Sequence, residues 1–380
     1  MIELDGSYGE GGGQILRNAA AFAAILGKDL GIRKIRAGRS KPGLRRQHLT
    51  GLELLADCCG GTLEGGSVGS QEIVFRMPPS IAKNGESSGQ QRVLTGDTQT
   101  AGSICLLLQA VFPFALLCTE SIHWVLKGGT NAAMAPQYDY WELLFLPVLK
   151  EQLGLRPKNV QATVIRRGFF PRGGGEVHVH TTPGRDALRP ISLTERGGLV
   201  CVEVRSYHAG KCPRKVAVQM ANAAKELLDA RLGGSVVIST NIAYLEPAAA
   251  SGSGILIIAT TSTGCRLGGS ALGSPKVAPQ RVGVQAAEEL CATLEDGGCV
   301  DEYLQDQLIL YMALARGTSE MITGSITCHS RTAIWTAEQC CGAQFQIEGL
   351  DDKEAVTPDS NGRISGRHRI RCTGIGFSPC

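Results

Sequence analysis

His329, Glu10 and a run of arginines are the residues of this chain whose types and spacing could do chemistry. His329 stands in Thr327-Cys328-His329-Ser330, just ahead of Arg331-Thr332-Ala333-Ile334-Trp335-Thr336-Ala337-Glu338-Gln339. That second stretch reads as a short amphipathic helix with Ala333, Ile334 and Ala337 on one side. Ser330 and Thr332 are candidate N-caps, because a short hydroxyl side chain can accept from the free N–H groups of a helix start. His329 would then sit at the positive end of a helix dipole, whose field disfavours imidazolium and leaves the neutral ring that a nitrogen nucleophile needs. Taken alone, a histidine in such a place is more often a capping or packing residue. Cys328 beside it could suggest a thiol nucleophile, but adjacent side chains point apart.

Glu10 lies in Gly9-Glu10-Gly11-Gly12-Gly13-Gln14, between a strand at Ile2-Glu3-Leu4 and a helix over residues 14–26. A strand, a glycine loop and a helix start make a place where backbone N–H groups can meet an anion, and Glu10 could hold a divalent ion there. No Gly-Lys-Ser/Thr follows, so this is not a Walker loop, and the spacing does not fit a dinucleotide fingerprint. Arg17 shares a helix face with Gln14. Arg33, Lys34, Arg36, Arg39, Lys41, Arg45 and Arg46 form a basic stretch with no acidic residue inside it, which suits either a solvated face or a phosphate site.

The elements that must position these residues fall in a repeated order. With 380 residues the chain is long enough for two domains. Strand, helix, strand, helix and further strands recur three times. The first round runs from Ile2 to a strand at 72–75. The second has an apolar helix carrying Gln109, a strand at 123–126, a helix over 138–153 and strands at 160–166 and 176–180. A third is expected to open at Val282-Gly283-Val284, with helices over 285–294 and 302–315, and to close with the His329 helix. Residues 83–91 read as a loop. Between the second and third rounds the register changes: a strand at 200–205, a helix over 215–231, strands at 236–241 and 254–261, and a Gly/Ser-rich exit at 264–274 suggest a small inserted domain over 182–280. The large domain is then 1–181 with 281–380. The turn-rich stretch 351–361 reads as a mobile loop before a final strand near 367–372.

Composition excludes several classes. A net charge of +3 does not by itself announce nucleic acid. The fourteen cysteines include no C-x-x-C, so no zinc site is expected and the thiols read as reduced. Met1-Ile2-Glu3-Leu4-Asp5 does not open a signal peptide, and no run is long enough to span a membrane; an intracellular protein is expected.

Several segments together resemble the RNA 3′-terminal phosphate cyclases, in shared order over essentially the whole chain. The most diagnostic is Arg167-Gly168-Phe169-Phe170-Pro171-Arg172-Gly173-Gly174-Gly175-Glu176-Val177. Others are Glu10-Gly11-Gly12-Gly13-Gln14-Ile15-Leu16-Arg17, Arg36-Ala37-Gly38-Arg39, Arg46-Gln47-His48-Leu49, Gly128-Gly129-Thr130-Asn131, Ala135-Pro136 and Asp301-Glu302-Tyr303-Leu304-Gln305-Asp306-Gln307-Leu308. Residues 97–103 and Thr194-Glu195-Arg196-Gly197 look closer to the eukaryotic branch, and a nuclear location is expected on that ground alone.

The resemblance implies an α/β fold: a large domain of three repeated units like the C-terminal domain of translation initiation factor 3, and a smaller inserted α/β domain with thioredoxin-like elements. It implies ATP-dependent conversion of an RNA 3′-phosphate to a 2′,3′-cyclic phosphodiester, through a covalent histidine–AMP and an RNA-adenylate. His329 matches the adenylated histidine. Glu10 matches the carboxylate that brings Mg²⁺ or Mn²⁺ to the triphosphate. Tyr303 is expected to stack on adenine, with Asp306 and Gln307 bonding base or ribose and Pro136 forming the opposite wall; Asp139 is a further candidate. Arg17, Arg36, Arg39, Gln47 and Gln109 are expected to hold ATP phosphates or the RNA 3′-phosphate, a task suited to the planar fork of arginine. His48 is expected to be structural. Two rivals share related folds. A non-catalytic cyclase-like ribosome-assembly factor would lack His329, Glu10 and Arg17, which this chain keeps. An enolpyruvyl transferase would need two large domains, and this chain has one small insert.

Overall fold

In the computed structural model, the described residues are 1–78, 92–184, 187–234, 236–351, 358–360 and 362–378. The expected loop at 83–91 lies outside them, as do residues 352–357 and 361 of the expected loop before the final strand.

The first unit runs β1 (Ile2–Asp5), α1 (Gly13–Leu26), β2 (Leu30–Arg33), α2 (Arg46–Cys59), β3 (Thr62–Glu64) and β4 (Ile73–Arg76). The second runs β5 (Arg92–Asp97), α3 (Ile104–Leu117), β6 (Ile122–Gly128), α4 (Tyr138–Tyr140), a π-helical turn (Trp141–Phe145), α5 (Leu146–Leu153), β7 (Val160–Arg166) and β8 (Gly175–Thr181). A two-residue strand, β9 (Ser192–Leu193), precedes a block of β10 (Leu199–Ala209), α6 (Arg214–Leu232), β11 (Val237–Leu245), β12 (Gly252–Thr261), β13 (Arg266–Leu272) and α7 (Pro279–Asp296). Then follow α8 (Glu302–Leu314), β14 (Arg316–Thr323), α9 (Cys328–Cys341), β15 (Gln344–Gly349) and β16 (His368–Ile375).

Three of the four sheets share one topology. Their orders are β1-β2-β4-β3, β5-β6-β8-β7 and β9-β14-β16-β15. In each, the first pair is parallel and the next two are antiparallel. The fourth sheet, β11-β10-β12-β13, has a different order. Strand residues alternate between buried and half-buried, as in Ile122–Gly128, so one face packs on the helices and the other is partly open. The helices meet in a common inner layer, where α1 packs on α2, α3 and α9, and α8 packs on α9. The alanine-rich α1 permits these close approaches, burying Ala19, Ala20, Ala23 and Ala24 beside Ile15 and Leu16.

The third unit departs from expectation. Val282 and Gly283 lie inside α7 rather than in a strand, and α7 packs with α6 and the fourth sheet in a second core with Val202, Ile257 and Leu267. The parallel partner of β14 is β9, which lies ahead of the block from β10 to α7 in the chain. A two-residue strand carries no readable periodicity, and its partner lies far along the chain. The expected Gly/Ser-rich exit is likewise the strand β13: at Gly269 a Cβ would stand 2.2 Å from the Ala286 carbonyl oxygen, so glycine there lets α7 lie close on the sheet.

Candidate active site

His329 is delivered by the N-terminus of α9, and the cap is Thr327, whose Oγ1 accepts from Ser330 N at 3.1 Å. Neither expected cap serves, because Thr332 lies within the helix and its hydroxyl donates to the Cys328 carbonyl at 2.7 Å. Beneath this end lies Gln305 of α8, buried and fully engaged. Its Oε1 accepts from Thr327 N at 3.2 Å and from the Ser330 hydroxyl, and its Nε2 donates to the Ser325 carbonyl at 3.2 Å and to Thr323. Sequence reading placed Gln305 in a motif but gave it no role; its one signal is its place on the buried face of α8.

Nε2 of His329 lies 2.7 Å from Oε2 of Glu10, and the other carboxylate oxygen of Glu10 pairs with Arg39. Hydrogen bonding to His329, then the charges of His329 and Arg39, holds the Glu10 carboxyl at about 2. In return Glu10 raises the His329 pKa above the ordinary imidazole value, a shift that burial and Arg17 oppose. The expected neutral imidazole is therefore corrected: the Glu10 carboxylate in direct contact favours the charged ring.

The glycine loop reaches this position by lying along α9. Tyr8 stacks on Trp335, with ring centroids 4.0 Å apart and planes at 12°. Gly9, at φ +56°, comes so close that a Cβ would stand 2.6 Å from Thr332 Oγ1.

Around the pair, Arg17 donates from Nε to Gln109 Oε1 at 3.0 Å, and burial brings its pKa down to about 10 against the pull of Asp306 and Glu10. Asp306 accepts from Gln14 Nε2 at 2.7 Å; burial pushes its carboxyl up to about 6, while His329 and Arg17 draw it back. Gln14 is buried, and its Oε1 has no hydrogen-bond partner among the described residues. It was legible as a neighbour of Arg17 but not as the residue that holds Asp306. Gln14, Gln109, Asp306 and Gln307 line one cavity with Phe112 and Tyr311. His48 lies nearby, its Nδ1 accepting from Arg45 N at 3.1 Å, and burial followed by Arg17 lowers its pKa to about 3.

The remaining candidates are placed less directly. Arg36 donates to the carbonyls of Lys41 and Gly43 at 2.8 and 2.9 Å, so it organises the basic loop. Gln47 Oε1 accepts from Ser103 N at 3.1 Å, tying α2 to the start of α3. Tyr303, on the first turn of α8, is partly exposed and sits edge-on to Tyr140 at 5.6 Å. Gln307 turns its amide back to the Tyr303 carbonyl at 2.6 Å. Asp139 makes a two-pronged pair with Arg167 at 2.6 and 2.9 Å, which occupies both of its oxygens beside Tyr207 of β10. Pro136 is half-buried in the segment that leads into α4. No hydrogen bond or ion pair among the described residues joins Asp139 to the His329–Glu10 pair. Sequence reading also gave no role to Asp301, the buried cap of α8, which accepts from Tyr140, Gly268 and Leu304 at 2.6, 2.8 and 2.8 Å.

Chemically, the site offers the His329 imidazole, the Glu10 carboxylate in contact with it, and the guanidinium groups of Arg17 and Arg39 beside a second acid, Asp306. Among the described residues, no group of three or more His, Cys, Asp or Glu side chains is arranged to hold a metal ion. A divalent ion here would rest on Glu10 and on oxygens brought by a ligand, which fits the preference of Mg²⁺ for one or two carboxylates and substrate phosphates.

A sequence model of the family described as RNA 3′-terminal phosphate cyclase matches residues 8–347. The chain is similar to the RNA 3′-terminal phosphate cyclase of Desulfurococcus amylolyticus, at 40% identity over 100% of this chain and 99% of that protein. It is also similar to the Drosophila melanogaster protein of that name, at 37% over 99% and 97%, and to that of Pyrococcus abyssi, at 39% over 92% and 96%.

Proposed function

Because the chain belongs to the RNA 3′-terminal phosphate cyclase family, we propose that it cyclises RNA 3′-phosphate ends through a covalent intermediate on His329. His329 attacks the α-phosphorus of ATP; an N–P bond forms and the bond to pyrophosphate breaks. AMP then passes to the RNA 3′-phosphate. The adjacent 2′-hydroxyl attacks that activated phosphorus, loses its proton and expels AMP, giving the 2′,3′-cyclic phosphodiester. Ring closure is fast because the hydroxyl is already beside the phosphorus, and the substrate must be a ribonucleotide end because DNA lacks that group.

The observation that carries this reading is the contact of His329 with Glu10 at a helix N-terminus ringed by Arg39, Arg17 and Asp306. The imidazole must give up its Nε2 proton before that nitrogen can attack, and Glu10 is the group touching it. Arg17, Arg36 and Arg39, with Gln47 and Gln109, hold phosphate oxygens. The adenine lies on Tyr303 against Pro136, with Asp306 and Gln307 bonding base or ribose and Asp139, on α4 just after Pro136, as a further contact. Mg²⁺ or Mn²⁺ on Glu10 supplies charge neutralisation at the triphosphate.

The three like-ordered sheets are, in the same reading, initiation factor 3-type repeats, and the insert is thioredoxin-like; superposition of the three units tests the repeat. No described helix is long and apolar enough to cross a membrane. A nuclear location belongs to the proposal, and imaging of the tagged protein checks it. The activity is tested with an oligoribonucleotide 3′-phosphate, which ATP should convert to a 2′,3′-cyclic end with release of AMP, while an otherwise identical 3′-phosphate on a terminal 2′-deoxyribonucleotide gives no cyclic end. Failure of the ribonucleotide end to cyclise in the presence of ATP would contradict the reading.

A further inference from the structure

Three consecutive residues of the glycine loop meet three residues of α9 spaced one turn apart. Glu10 meets His329, Gly9 meets Thr332 and Tyr8 meets Trp335, so the loop runs antiparallel to the helix along one face. The loop's own restraint between these points is slight. Gly11 N donates to the Tyr8 carbonyl at 2.9 Å and Tyr8 N to the Asp5 carbonyl at 3.2 Å, but Glu10 is flanked by Gly9, Gly11, Gly12 and Gly13. Glycines on both sides leave a carboxylate with wide backbone freedom. Arg39 holds one oxygen of Glu10, and the aromatic anchor of the loop among the described residues is the parallel stack of Tyr8 on Trp335. Tyr8 remains 40% exposed, so its ring is not a core-forming side chain. Trp335 is fixed to the same rigid helix that presents His329.

We propose that Tyr8 and Trp335 are positioning residues for the reaction: their stack sets the register of the glycine loop on α9 and so places Glu10 against His329. Neither ring need touch substrate. This rests on the reading of His329 as the nucleophile. A carboxylate held by a stacked ring two residues away arrives pre-organised, whereas the same carboxylate on a free glycine loop must be ordered in every turnover.

The test follows self-adenylation of the full chain with ATP labelled in the α-phosphate, for wild type, Tyr8→Phe, Tyr8→Leu, Trp335→Phe and Trp335→Leu, with thermal melting alongside. Tyr8→Phe and Trp335→Phe keep a stacking ring and are expected to keep the wild-type rate. The two leucine variants keep apolar bulk without the stack; they are expected to lose roughly 10- to 100-fold in the rate at saturating ATP, with the KM for ATP and the melting temperature held. A merely structural role would lower the melting temperature instead and overturn the proposal, as would leucine variants that match wild type. A rise in KM at unchanged saturating rate would also overturn it, because the ring would then be contacting ATP. If wild type takes up no label, the reading of His329 falls as well; a labelled wild type with unaffected leucine variants sinks this inference alone.

Discussion

His329 Nε2 stands 2.7 Å from Glu10 Oε2, a contact that joins the first helix-bearing loop of the chain to the last helix. In this arrangement the two groups favour each other's charged forms: the Glu10 carboxyl is held at about 2, and the His329 pKa lies above its ordinary value. The pair is thus mutually neutralising, and on the proposed reading it joins the nucleophile to the carboxylate that would hold the metal.

That pairing has a pH signature. Below its raised pKa, His329 is an imidazolium with no lone pair at Nε2, so attack should be suppressed at low pH and recover as pH rises through that value. NMR titration of the ligand-free protein should find the His329 pKa above the ordinary imidazole value. Glu10→Gln, which removes the negative partner, should bring it down. An unchanged value in Glu10→Gln would show that Glu10 does not set the protonation of His329. For stability the signs differ between partners: the His329 contribution is full below the unfolded value of 6.5 and lost as pH rises through the raised one. The Glu10 contribution is full above 4.5 and lost as pH falls towards 2.

Gln305 should matter to the fold as well as to the site. Gln305→Ala would strip partners from Thr327 N, Ser330, Ser325 and Thr323 in a buried place, an expected cost of about 1–3 kcal/mol in unfolding free energy. Denaturant unfolding measures it. A variant as stable as wild type would mean that α9 is held by its apolar face alone.

Tyr303 separates stacking from hydrogen bonding. If its ring carries adenine, Tyr303→Phe should leave the KM for ATP near wild type, while Tyr303→Ala should raise it by a factor corresponding to about 1–3 kcal/mol. A large effect of the phenylalanine variant would point instead to the hydroxyl.

How much of this was legible in the chain depends on the range of the interaction. The strand-loop-helix start at Glu10, the helix of His329 and the buried run of α3 follow local period and turn chemistry, and they appear in the structure with small shifts of boundary. The strand that opens the third like-ordered sheet was hidden, because β9 is two residues long and its partner β14 lies beyond the block from β10 to α7. Gln14 and Gln305 went unassigned for a similar reason. A glutamine has no local signature, and only the approach of α1 to α8, and of α8 to α9, shows which atoms each one holds. The protonation of His329 was misjudged since the helix end could be read from sequence, whereas the carboxylate brought from residue 10 could not.

The central claim is that His329 carries AMP. Purified protein given α-labelled ATP and Mg²⁺ should take up label that survives denaturation and maps to the peptide bearing His329. The His329 side chain is about half exposed, so His329→Ala should fold and melt as wild type does and take up none. Label retained by a folded His329→Ala protein would contradict the account.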